Sequence, residues 1–239
     1  MKNKRNKISM STACAYSPRD GHRFDFAIKL LSKLEMDGIE LAFNNPAQIE
    51  EFDENKYKKY FKNLTCSTFH FPTKDRDGQL IKIGKKHKRL LSKIYKICSV
   101  LNISNLVIHS YNIGAPSVFD TTNFIHHIEV MEKKWNLKPK YYLDFIKKNP
   151  SWKIVLDSSH MQQCGNLVEC FKKLNTYTGF YHISVCKYEN QHLPLHIINK
   201  DMLSDLKIFT NKPMVLEGWI GTDDIEDYKN EVSFARKNL

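Results

Sequence analysis

Residues 153–160 read Lys153-Ile-Val-Leu-Asp157-Ser-Ser-His160. Three apolar residues without polar alternation mark a strand buried on both faces, as in a parallel sheet. The run ends in two chemically useful side chains three residues apart. The same grammar recurs along the chain, in Phe69-His70-Phe71-Pro72, Asn105-Leu-Val-Ile-His109-Ser110, Ile128-Glu129-Val130-Met131, Tyr181-His182-Ile-Ser and Met214-Val-Leu-Glu217-Gly218. Each is a short apolar run that carries a histidine or an acid at or near its C-terminal end.

Working outward, strand-like runs at 8–15, 38–43, 64–71, 105–109, 126–131, 153–157, 179–185 and 213–217 alternate with helical patterns at 24–34, 46–61, 84–101, 140–148, 167–174, 200–209 and 223–237. Eight strands alternating with helices in one continuous pattern predict a parallel sheet with right-handed crossovers. In roughly 240 residues that is an α/β protein of the (β/α)8 TIM barrel class, a single domain over residues 8–239. About fifteen residues separate strands four and five, so the helix after strand four is expected to be shortened or missing. A doubly wound open sheet is the rival architecture, but no glycine-rich first turn occurs. Residues 1–7, with Lys2, Lys4, Arg5 and Lys7, form a basic N-terminal tail.

The composition is that of an ordinary globular domain, 41% hydrophobic and 26% charged in 239 residues, which excludes a disordered chain, a collagen or a coiled coil. No run of about 18 apolar residues exists, so no transmembrane helix and no membrane partner are expected. The basic N-terminus is followed by no apolar core of a secretory signal. Six scattered cysteines without a CxxC pair read as reduced thiols of a cytoplasmic protein. The formal charge is +11, which permits binding to phosphates or nucleic acid without requiring it.

In a parallel barrel all strand C-termini open on one mouth, where this architecture keeps its chemistry. Six successive strands therefore deliver His70, His109, Glu129, Asp157, His182 and Glu217 to one place. Nitrogen and carboxylate donors converging in this way suit a divalent metal ion such as Mn²⁺, Zn²⁺, Co²⁺, Fe²⁺ or Mg²⁺. Two facing carboxylates repel each other unless a cation sits between them. Taken singly, each residue has an ordinary structural explanation, a hydrogen-bonded core histidine or a helix cap; six on consecutive strands do not.

Leu156-Asp157-Ser-Ser-His160 resembles the LDxxH segment of the xylose isomerase-like TIM barrel superfamily. This superfamily includes sugar phosphate isomerases and epimerases as well as endonuclease IV-type apurinic endonucleases. The opening Ile8-Ser-Met-Ser-Thr12, Met36-Asp-Gly-Ile-Glu40-Leu41, Tyr181-His182-Ile-Ser with Asn190-Gln-His192-Leu-Pro-Leu195, and Val215-Leu-Glu217-Gly218 resemble its first, second, seventh and eighth strands. The resemblance implies a metal held by Glu129, Asp157, His182 and Glu217, with His160 as a substrate contact or a further ligand. In endonuclease-type members His70 and His109 would bind zinc too, and His192 would join His160 on a third ion. The chain departs from the family pattern at four places. Asn190 replaces an Asp, Val130 replaces the Asn after the strand-five acid, His196 replaces a Gly, and the helix after strand four is lacking. Glu132 is a rival to Glu129 as the strand-five ligand.

Two chemistries fit these residues. In the first, one ion grips a sugar or sugar phosphate while Glu129 and Glu217 move a proton at carbon, as in an isomerase or epimerase. In the second, two to three Zn²⁺ support phosphodiester hydrolysis in DNA, as in an apurinic/apyrimidinic endonuclease. A third reading is a catalytically inactive barrel used for binding. Arg19, Lys74 and Lys187 in mouth loops are candidate contacts for a phosphate, and Trp219 for a sugar ring or base. The oligomeric state is open.

Overall fold

The computed structural model describes residues 6–15, 24–130, 138–187, 190–198 and 203–239. Eight parallel strands close into a barrel. They are β1 (Ile8–Ser11), β2 (Gly38–Ala42), β3 (Thr68–His70), β4 (Asn105–His109), β5 (Ile125–Glu129), β6 (Lys153–Asp157), β7 (Thr178–Ile183) and, after a small hairpin of β8 (Val185–Lys187) and β9 (Asn190–Leu193), β10 (Met214–Leu216). Each neighbour pair is consecutive in the chain once the hairpin is set aside, and β10 closes on β1 through Ile8–Met214, Ser9–Val215 and Met10–Leu216. Among the described residues the helices include α1 (Phe24–Leu31), α2 (Pro46–Glu51), α3 (Glu54–Phe61), α4 (Lys88–Val100), α5 (Pro139–Lys148), α6 (Ser158–Gln163), α7 (Leu167–Leu174) and α8 (Ile225–Asn238). No helix among the described residues is long and apolar enough to cross a membrane.

Side-chain alternation explains why these strands read as unbroken apolar runs. Leu106, Ile108, Ile128, Ile154, Leu156, Tyr181, Ile183, Met214 and Leu216 face outward into the main core, between barrel and helices. Val107, Val155, Phe180 and Val215 form a separate buried cluster in the barrel interior. Both faces of β4, β6, β7 and β10 are therefore apolar and buried. Two residues further along the same strand face, Val107 is followed by His109, Val155 by Asp157, Phe180 by His182 and Val215 by Glu217. The apolar plug thus floors a layer of ionisable side chains.

Several boundaries differ from the sequence reading. The helix expected over 46–61 is two helices, because Phe52 turns extended and the Asp53 side chain accepts from Asn55 N to cap α3. The first strand stops at Ser11, and Thr12–Ala15 is a 3-10 turn. The strand expected over 64–71 is paired only at Thr68–His70. The fifth begins at Ile125 and ends at Glu129. In the segment expected as a helix over 200–209, Asp205–Ile208 is a 3-10 turn. The β4–β5 crossover is made of two 3-10 turns, Ser110–Asn112 and Pro116–Val118. Most of the basic tail, Arg19 and Glu132 lie outside the described residues.

Candidate metal centre

The Glu129 carboxylate, 1% exposed at the end of β5, is the hub of the mouth. Its Oε2 lies 2.7 Å from His109 Nε2 and 3.1 Å from His70 Nε2. Its Oε1 lies 3.1 Å from His182 Nδ1 and 3.8 Å from His160 Nδ1. Glu217 Oε2 also sits 3.1 Å from His182 Nδ1 and 3.8 Å from His192 Nδ1. Four overlapping groups each present ligand atoms within 4.8 Å of one another: His70, His109 and Glu129; His70, His182 and Glu217; Asp157, His160 and His192; and Glu129, Asp157, His182 and Glu217.

The rings are aimed by outer contacts, as metal-binding histidines commonly are. His70 Nδ1 donates to Phe71 O at 3.0 Å, and His160 Nδ1 donates to Val130 O at 2.9 Å. His109 Nδ1 pairs with Tyr111 Oη at 2.7 Å, and His192 Nδ1 with Ser184 Oγ at 3.1 Å. Asp157 begins α6, where its Oδ1 accepts from the His160 backbone N–H and the Ser159 hydroxyl, both at 2.8 Å. One residue thus ends a strand, caps a helix and presents its second oxygen to the site. That Oδ2 is buried without a hydrogen-bond partner among the described residues. Burying an unsatisfied carboxylate oxygen is costly, and a cation beside it removes the cost. The donor set and this orphaned oxygen fit a divalent ion.

The ionisation pattern is split. Burial opposes charge on Glu129, but the adjacent His109 and His182 prevail and hold its carboxyl well below the usual range. Burial pushes Glu217 well above that range; His182 opposes this, while Glu40 and Glu129 add to it. Burial disfavours the His70 cation, yet Glu129 raises its pKa to about 9. Burial lowers His192 to about 4. Two carboxylates on one imidazole are thus driven in opposite directions.

Above the cluster lies a cavity of about 950 Å³, lined by His70, His109, Glu129, His160, His192 and Glu217 and by Lys74 and Trp219 at its wall. Such a volume suits a small molecule. Lys187 stands exposed on β8 and is not part of that lining. The cavity also takes in Ser11, Phe43, Asn44 and Thr73, which the sequence reading did not single out. It also missed the role of Glu40, a fully buried acid on β2 beside His182. The available signal was a lone carboxylate inside the apolar run Gly38-Ile-Glu-Leu-Ala.

No protein-family model matches the chain, and no curated protein matches it. Solved structures do. D-Allulose 3-epimerase from Methylomonas sp. superposes with a TM-score of 0.69 at 16% identity, over 98% of each chain. The 3-keto-D-glucoside 4-epimerase of E. coli gives 0.67 at 12% identity, over 98% of this chain and 100% of that one. The probable 3-DHS dehydratase of Bacillus anthracis gives 0.62 at 16% identity, over 95% and 98% of the two chains. At these identities the likeness establishes the fold alone, a closed (β/α)8 barrel.

Proposed function

We propose that the chain is a divalent-metal-dependent enzyme that moves a proton on a small sugar or sugar phosphate, an isomerase- or epimerase-like activity. The observation that carries this is the convergence of Glu129, Asp157, His182 and Glu217, one ligand atom each within 4.8 Å, at the base of a cavity of small-molecule size. Support also comes from similar structures that are sugar epimerases. These four residues would hold the ion, which when bound polarises a substrate carbonyl or hydroxyl and acidifies the adjacent C–H. Glu129 and Glu217 would move the proton at carbon, one accepting it and the other returning it. His160 has its Nδ1 committed to Val130 O, which leaves Nε2 for a substrate oxygen. Lys74 receives an anionic or hydroxyl-bearing end of the substrate, and the half-exposed Trp219 stacks on the ring.

A second reading is favoured by one specific arrangement. His70 and His109 share the same Glu129 oxygen, and Asp157, His160 and His192 form a further group. Proton transfer on a sugar needs no additional ion at either group, whereas phosphodiester hydrolysis with two to three zinc ions would use both.

Metal analysis of the purified protein, paired with deuterium uptake from D₂O into a panel of ketoses and ketose phosphates, separates the two. The proposal expects about one ion per chain and exchange at carbon that a chelator abolishes. Two to three zinc ions, with nicking of an abasic-site duplex lost on chelation and in Glu217→Gln, would replace it by the second reading. A folded protein that takes up no ion would leave a binding barrel.

A further inference from the structure

Glu40 is the third residue of β2 and is wholly buried in the barrel interior, below the cavity. Its Oε2 accepts a hydrogen bond from Thr68 Oγ1 at 2.8 Å and lies 3.2 Å from His182 Nε2. Among the described residues its Oε1 has no hydrogen-bond partner, and neither the cavity lining nor any candidate metal group includes Glu40. An ionisable side chain in such a place is expensive to bury. A threonine hydroxyl alone does not account for it, since an amide or a smaller polar group would satisfy Thr68 equally well.

The geometry of His182 supplies the missing reason. One nitrogen, Nδ1, faces Glu129 Oε1 and Glu217 Oε2 at 3.1 Å each, on the candidate metal side. The other, Nε2, faces inward and makes no hydrogen bond of good geometry; among the described residues Glu40 is its ion-pair partner. An imidazole ligand binds through one nitrogen only when the proton sits on the other, and a carboxylate behind the ring fixes both its tautomer and its rotation. Thr68 in turn holds the carboxylate from β3, the strand paired to β2 at Glu40 and Thr68. Three strands thus form a relay: Thr68 on Glu40, Glu40 on His182, and His182 on the site.

We infer that Glu40 is a positioning residue, which accepts the Nε2–H of His182 as an ion binds and keeps Nδ1 aimed at Glu129, Asp157 and Glu217. This rests on the metal-centre reading above. It assigns no contact with substrate to Glu40. It makes the affinity and ligand field of the centre depend on a residue that touches neither ion nor cavity.

Cobalt(II) titration of the full chain, read by visible absorption, tests it on wild type, Glu40→Gln and Glu40→Leu, with folding checked by circular dichroism and thermal melting. Leucine removes the acceptor, and affinity should fall about 10- to 100-fold with altered d–d bands. Glutamine keeps an acceptor oxygen without the charge, so its affinity should fall between leucine and wild type. That partial rescue is not expected of a residue that merely fills space. Should Glu40→Leu not fold, Glu40→Gln alone decides, by a loss of affinity at unchanged melting temperature. Wild-type cobalt uptake matched within about twofold by folded variants overturns the role of Glu40 and leaves the metal centre standing. Absence of uptake by the wild type overturns the metal centre itself, and the inference with it.

Discussion

The Glu231 carboxylate of α8 accepts from His196 Nδ1 at 2.7 Å. The same buried carboxylate also accepts the backbone N–H of Leu195 at 2.8 Å and of His196 at 3.0 Å. The last helix thereby grips the loop that follows His192, a candidate ligand whose own backbone is held left-handed at φ 56°, a conformation that costs a non-glycine residue energy. His196 stands where the resemblance noted in the sequence has a glycine, and here it serves as a clasp. Glu231→Ala should lower stability by about 2–4 kcal/mol, because it leaves buried donors unpaired. Chemical denaturation checks the loss.

The clasp has a pH signature. The hydrogen bond to Glu231 raises the His196 pKa above its usual value, against burial. A raised folded-state pKa contributes stability that is fully present below about 6.5, the unfolded value, and is lost as pH climbs through the folded one. The melting-temperature gap between wild type and His196→Asn should therefore narrow as pH rises above about 6.5. A constant gap would show that the ring's charge contributes nothing.

Opposite behaviour is expected of His126 and His127 on β5. Burial lowers them to about 4 and about 3, with Asp120 opposing at His126 and Lys153 assisting at His127. Their native form is the neutral ring, so the unfolded chain binds protons first and stability falls as pH drops below about 6.5. His126 packs among Phe119, Trp152 and Tyr95. Replacing it by phenylalanine should remove about 1–2 kcal/mol of the stability lost between about pH 6.5 and 5, visible as a smaller acid shift in melting temperature.

Glu129→Gln should abolish turnover, with a loss of at least about 100-fold, while the barrel stays folded. A second readout does not depend on the reaction. Because the Glu129 charge raises His70 to about 9, its neutralisation should bring the His70 titration down, as followed by NMR. An unchanged His70 titration would mean that Glu129 is not the hub of the cluster.

Gly218 follows the last barrel strand, and a Cβ there would meet the Pro194 backbone of the His192 loop. Trp219 N donates to His192 O at 2.7 Å in the same contact. Gly218→Ala should cost about 1–3 kcal/mol through overpacking. It should also shift the fluorescence of the adjacent Trp219.

The barrel was legible because strands such as β4 and β6 are apolar and buried on both faces, so that Leu106 and Val107, or Leu156 and Val155, give one apolar run whichever way they point. The candidate site was legible where a polar residue ended such a run, as at His109, Asp157 and Glu217. Glu40 was harder to interpret, since its burial depends on β2 closing beside β3 and its partner lies on β7. Glu231 follows the helical period of a surface acid, and only the loop folding back on α8 makes it interior. The break at Asp53 lay in a capping side chain that the 46–61 periodicity masked. The β8–β9 hairpin depends on tertiary placement beside α6 rather than on any turn motif.

The two 3-10 turns between β4 and β5 give one flank of the barrel a thin wall. It is covered chiefly by aromatic side chains such as Phe119, Phe124 and Trp152 instead of the usual crossover helix. Regions backed by fewer packed elements open first, well below the free energy of global unfolding. Amide exchange should consequently be faster along β5 than along β7 or β10. Since β5 ends in Glu129, opening of that stave would carry motion from the periphery into the mouth through a single strand.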